Sequence, residues 1–216
     1  VEISNMPQRD WSRRDVLRQC LAAGVLVVPA GWGEAELLHA WLDAQTALKP
    51  TAHVEMGPFY KKRAPATTAL RSAGDPGMPL TIAGRVLTVH GESVLGATIE
   101  VWQANHGGLY DLEGYRYRAA IKPPPPGAYA FDSIMPGHYP ARVARHVHYF
   151  VTAPGHKPLS TQLYFATDEV FDGNPDKNYT KDPLITSRTL VRPVTVTGQP
   201  GSAAASVEFE LVLEKA

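Results

Sequence analysis

At 216 residues, with 44% hydrophobic and 19% charged side chains, the chain is long enough for one well-packed domain and short for two. Lys and Arg total 21 against 21 Asp and Glu, so no global field draws it to nucleic acid or anionic lipid, and a small-molecule partner is expected. Its 18 glycines and 19 prolines lie scattered between short β-branched runs without a tandem repeat, as turns punctuate an all-β fold.

Residues 1–35 read as an export leader. Arg13 and Arg14 precede an apolar run from Cys20 to Val28, and small residues follow to Ala35, the pattern of a twin-arginine signal. The run is too short to span a bilayer as a mature helix, so a periplasmic or secreted protein with no membrane segment in its mature form is expected. Twin-arginine export carries proteins folded beforehand, often around a cofactor, which hints at a metal. Cys20 is the single cysteine, so the exported part would hold together by packing and metal rather than by a disulfide. Residues 36–50 form a short helical extension, with Leu37, Leu38, Trp41, Leu42 and Leu48 near helical spacing and Pro50 as the stop.

From residue 51 to 216 the pattern is strands. They are expected at 80–89, 94–104, 127–134, 145–153, 160–166, 189–196 and 206–214, with a turn at His90–Ser93, and they predict an antiparallel β-sandwich. Pro123 to Pro126 form a stiff connector, since successive prolines fix φ and donate no hydrogen bond. In the strand over 145–153, His146 and His148 are two apart and therefore share a face opposite Val147 and Tyr149. Two imidazoles on one face are either a polar strand surface or half of a metal site, and spacing alone does not decide between them.

Five blocks in order carry a resemblance: GPFY at 57–60, GRVLTVHGESVLGATIEVWQANHGGLY at 84–110, GAYAFDSIMPGHYP at 127–140, RHVHYFVTAPG at 145–155 and STQLYF at 160–165. Together they resemble the intradiol ring-cleavage dioxygenases, the family of the protocatechuate and catechol dioxygenases. The resemblance implies a non-haem Fe(III) held in a β-sandwich by two tyrosines and two histidines, here Tyr110, Tyr139, His146 and His148. It further implies that Tyr139 leaves the iron as a catechol binds and takes one of its protons, while Tyr110 stays. Dioxygen then opens the ring between the two hydroxylated carbons, giving a cis,cis-muconate-type diacid. The chemistry of the donors agrees: two phenolates are hard anions that favour a trivalent iron, and neutral imidazoles complete a mixed oxygen and nitrogen site.

The family also places an arginine shortly before the histidine pair, to stabilise negative charge developing on the ring. Arg142 and Arg145 compete for this role; Arg145 faces away from His146 on a regular strand, whereas Arg142 lies in a loop and can turn inward. Gln162 matches a site-facing glutamine, and Tyr60 matches a segment near the substrate pocket. Only six residues separate Tyr139 from His146, and the segment ahead of residue 51 is too short for the large helical domain of catechol-cleaving relatives. A small exported type is therefore expected, with a more open site for larger or more varied catechols and an oligomeric state that the sequence leaves open, a homo-oligomer included.

Two other classes compete. The hairpin over 84–102 is also similar to transthyretin-like sandwich modules, so the alternative is a non-catalytic binding module, which has no need of the ligand set. The third reading is an Fe(II) oxygenase with two histidines and a carboxylate, Asp111 or Asp132.

Overall fold

The computed structural model describes residues 47–139, 142–199 and 201–216. The leader over 1–35 and residues 36–46 of the helical extension lie outside the described residues; residues 47–50 carry no regular structure. The unit described below runs from Lys49 to Ala216.

Ten strands make two sheets: β1 (Pro79–Thr88), β2 (Thr98–Trp102), β3 (Arg118–Ile121), β4 (Ala128–Ile134), β5 (His146–Thr152), β6 (Leu159–Phe165), β7 (Val191–Arg192), β8 (Thr195–Thr197), β9 (Ala204–Glu208) and β10 (Leu211–Leu213). In the first sheet β1 is central, antiparallel to β4 on one side and paired on the other with β9 and then β10; β8 closes that edge against β9. The second sheet runs β3, β2, β5, β6, β7. Alternation builds the core between them. Ile99 and Val101 of β2, Val147, Tyr149 and Val151 of β5 and Leu163 of β6 turn inward, against Leu80, Ile82, Phe131, Val207 and Leu211 of the first sheet. The Tyr149 ring spans the layer, 6.4 Å from Phe131 and 5.2 Å from Phe209.

The sandwich is the expected one, with a mixed hydrogen-bond pattern where a wholly antiparallel one was predicted. β9 and β10 run parallel to β1, and β7 runs parallel to β6, to which it is joined through the helical turns between Glu169 and Leu190. The strand expected over 189–196 is split at Pro193, which lacks an N–H for a ladder: β7 joins one sheet and β8 the other. The strand expected over 206–214 is interrupted at Phe209, whose carbonyl accepts the buried Tyr129 hydroxyl. β3 and the helical turns between Glu169 and Lys181, including α1 (Pro175–Asn178), were not anticipated.

One consequence decides where chemistry can occur. Register aligns Arg118, Trp102, His148 and Gln162 across β3, β2, β5 and β6, on the face of the second sheet turned away from the core. That face would ordinarily meet water, yet all four side chains are buried. The segment before β1 covers it, anchored by Val54 N–H to the Ser160 carbonyl at 2.9 Å and by the Thr161 hydroxyl to the Ala52 carbonyl at 2.6 Å.

Candidate active site

The histidine pair lies at the centre of that covered face. The His146 and His148 rings are 4.8 Å apart, and both present Nε2 to the Tyr110 hydroxyl, at 3.4 Å and 3.0 Å respectively. The Tyr139 ring stands edge-on, 5.5 Å from the Tyr110 ring and 5.8 Å from the His146 ring. Four residues drawn from three separate stretches of sequence thus meet at one point.

Different forces orient the two imidazoles. His146 directs Nδ1 to the Ala144 carbonyl at 2.8 Å, which makes Nδ1 the protonated nitrogen and leaves Nε2 a lone pair. The Nδ1 of His148 is buried without a hydrogen-bond partner among the described residues. Its ring is held instead by stacking on Trp102, with centroids 4.8 Å apart and planes within 8°.

The tyrosines are delivered by loops that touch. Tyr110 follows a turn in which the Asn105 side chain accepts the Gly107 and Leu109 N–H groups, and it precedes a second turn in which Asp111 accepts those of Glu113, Gly114 and Arg116. Phe59 stacks on its ring at 4.2 Å. The Tyr139 loop docks on this one through Gly137 N–H to the Asn105 carbonyl at 2.8 Å. No side chain fits at the junction: a Cβ on Gly108 would lie 1.9 Å from the His138 carbonyl oxygen, and one on Gly137 2.2 Å from that of His106.

Arg142, and not Arg145, faces the cluster. Its buried Nη1 lies 3.5 Å from His146 Nε2 and donates to Gln162 Oε1 at 3.0 Å; Nη2 donates to the Tyr164 hydroxyl at 2.8 Å and to Asp182. Arg145 turns to His138 and Glu169 on the outer side. Gln162 lies beneath Arg142, with its Nε2 on the Glu55 carbonyl at 3.2 Å. Tyr60 is placed one aromatic layer away, behind Trp102 at 5.1 Å, and donates to Glu100. Burial and that carboxylate push the Tyr60 phenol up to about 12, and its hydroxyl is directed at Glu100 rather than at the histidine pair. Its neighbour Phe59 is the residue in contact with Tyr110 and Tyr139.

The sequence reading missed Phe59, Trp102, Tyr164 and Asp182. Trp102 and Tyr164 were within reach of it, since period-2 alternation puts Tyr164 on the face of Gln162, while Asp182 carries no local signal beyond an Asp-Pro turn. His138 pairs with Asp168 at 3.0 Å, away from the cluster, and His156 bonds a nearby backbone carbonyl.

The donor set suits a hard trivalent cation. Burial, helped by the Arg142 charge, pushes His146 down to about 4, and His148 is driven well below its ordinary value by burial and by His146, so both imidazoles are neutral and offer lone pairs at neutral pH. Burial raises both phenols, chiefly that of Tyr110, and only a cation close by would ionise them. One phenol proton cannot satisfy two Nε2 lone pairs, whereas a cation between the three atoms would. The two-histidine, one-carboxylate arrangement is absent: no group of three His, Cys, Asp or Glu collects among the described residues. Asp111 is occupied by backbone N–H groups, and Asp132 bonds Thr81 on the other sheet.

Known proteins share this architecture. The family model described as "Dioxygenase" matches residues 55–215. Catechol 1,2-dioxygenase 2 of Acinetobacter lwoffii is 28% identical over 208 residues, covering 81% of this chain and 72% of that protein. Chlorocatechol 1,2-dioxygenase of Rhodococcus opacus is 28% identical, covering 84% and 83%. Among solved structures, the dioxygenase domain of a dioxygenase and carbohydrate-binding protein fusion from the cellulolytic bacterium Streptomyces sp. SirexAA-E is 32% identical with a TM-score of 0.64, and it is matched over 100% of its length and 78% of this chain. With a family model spanning most of the domain and relatives of this kind, the chain belongs to the intradiol ring-cleaving dioxygenases and is an enzyme of that class.

Proposed function

We propose that the chain is a non-haem Fe(III) enzyme that cleaves a catechol between its two hydroxylated carbons, with both atoms of O2 entering a cis,cis-muconate-type diacid. The observation that carries this reading is the convergence of the Tyr110 hydroxyl and the two Nε2 atoms at 3.4 and 3.0 Å, with Tyr139 beside them. Tyr110, Tyr139, His146 and His148 would hold the iron, which when bound supplies Lewis acidity toward the catechol oxygens.

The protein side of the reaction follows from placement. Burial raises the Tyr139 phenol less than that of Tyr110, and Tyr139 lies next to the Arg142 charge, which lowers the cost of its anionic form. It serves as the base, taking a catechol hydroxyl proton at its phenolate oxygen, while Tyr110, clamped by Phe59, keeps its place. Arg142 presents Nη1 to the cluster and stabilises negative charge as it develops on the ring. Phe59 takes the substrate-facing role that the motif match gave to Tyr60.

Leu109, Leu112, Val143 and Leu184 are exposed on the loops that carry Tyr110, Arg142 and Asp182. We infer that these side chains border the catechol-binding opening and suit catechols with an apolar substituent, which should show lower KM than catechol itself. Colour tests the core of the proposal. Purified iron-loaded protein should show a broad visible phenolate-to-Fe(III) band that changes when catechol is added without oxygen; colourless protein at full iron content would refute it. We further propose that Arg13 and Arg14 direct export to the periplasm or medium.

A further inference from the structure

We propose that Asp182 is a positioning residue of this site, acting through Arg142 and through the Ala144 backbone. It lies in a stretch outside the five motif blocks, just after a helical turn ending at Lys181, and is 1% exposed. Its Oδ1 accepts the Leu184 N–H at 3.0 Å, an Asx turn that fixes the carboxylate to its own backbone. Oδ2 is thereby aimed at three donors: Arg142 Nε at 3.4 Å, Arg142 Nη2 at 3.2 Å and the Ala144 N–H at 3.2 Å.

Two lines run from that oxygen into the site. With Nε and Nη2 held, the guanidinium plane is fixed, and Nη1 is the edge turned to Gln162 and His146. With its N–H held, Ala144 presents its carbonyl to His146 Nδ1, the bond that leaves Nε2 free for a metal. The Arg142 N–H also bonds the Tyr139 carbonyl at 3.0 Å, so the same anchor reaches the turn that carries Tyr139. Charge is required as well as shape. Arg142 is a buried cation, and Asp182 is the carboxylate paired with it. An amide at 182 would either turn N–H groups toward donors or give up the Leu184 bond.

The inference rests on the intradiol reading, and its test has an arm that does not. In the metal-free full-length chain, the Arg142 Nε–H should exchange slowly with solvent in wild type and rapidly in Asp182→Asn. In the iron-loaded protein, Asp182→Asn should keep iron and bind catechol, yet react with oxygen about tenfold to a hundredfold more slowly. The double variant Asp182→Asn with Arg142→Ala should lose much less than the product of the two single losses, because the part of Asp182 that acts through Arg142 adds nothing once Arg142 is gone and only the Ala144 line remains. Asp182→Glu keeps the charge and should recover Nε–H protection and most of the rate, even at a lower Tm. Unchanged Nε–H protection in Asp182→Asn, additive losses in the double variant, or a glutamate variant as slow as the asparagine one would each overturn the proposal. Should wild-type protein neither colour nor cleave catechol, the intradiol reading falls, and the exchange arm still decides whether Asp182 holds Arg142.

Discussion

His146 and His148 are alternate residues of one strand, but their orientation is secured by unlike means, a backbone hydrogen bond for one and an indole face for the other. Under the proposed iron reading, substituting the residues that would hold the metal should read differently from substituting those that would do chemistry. His148→Ala removes a lone-pair donor with neutral charge at neutral pH, and the protein should lose iron on dialysis. Tyr139→Phe should retain iron through Tyr110, His146 and His148 while turnover falls about 10²- to 10⁴-fold, the range for loss of a positioned base. Normal turnover in that variant, measured by anaerobic titration followed by oxygen mixing, would remove the base assignment. The two arginines give a matched pair. Arg142→Ala should spare catechol binding and slow the oxygen step about 10²- to 10³-fold. Arg145→Ala, whose side chain faces His138 and Glu169, should stay within about threefold of wild type.

At the scale of elements, the site depends on two loops whose backbones are in contact. Gly137→Ala would set a methyl 2.2 Å from the His106 carbonyl oxygen and 2.6 Å from the Gly108 nitrogen, so one loop must move. A cost of about 3 kcal/mol is expected, or roughly 6–12 °C in Tm, together with loss of the visible band as Tyr110 and Tyr139 separate. The Tyr110 loop also has a pH limit. The Arg116 and Gly114 N–H groups hold the Asp111 carboxylate below its ordinary 3.8, against burial, which raises it. A depressed carboxylate stabilises the fold above its unfolded pKa, and that stability is lost as pH falls below 3.8 through the folded value. Thermal melting in acid should therefore be steeper with pH in wild type than in Asp111→Asn, which cannot titrate there. Equal slopes would show that this turn carries no linked proton.

For the whole molecule, the proposed export signal and the fold are testable apart. If the paired arginines are the feature read by the export receptor, replacing Arg13 and Arg14 by lysine should leave folded, iron-loaded, coloured protein in the cytoplasm. Undiminished export on cell fractionation would count against the leader. The domain from Lys49 onward is held by apolar packing between sheets, and its single-face alternation leaves the second sheet's outer face free to be filled with polar side chains.

The sequence by itself determined the sandwich, most of its strands and the four residues that meet at the centre. Alternation is local, so it places His146 and His148 on one face without knowledge of any neighbour, and the glycine turns before Tyr110 and Tyr139 mark loops able to aim a side chain. Sequence favours Arg142 over Arg145 because a loop residue can turn inward, but that its side chain faces the cluster depends on tertiary partners such as Asp182, which lies 40 residues from Arg142 in the chain. That Phe59, rather than its neighbour Tyr60, touches Tyr110 was likewise out of reach, since the partners of these adjacent aromatics, Glu100 for one and Tyr110 for the other, come from elements distant in sequence. Parallel pairing of β9 and β10 with β1 was also out of reach: hydrophobic period fixes which face of a strand is buried, and only the path between sheets fixes its direction.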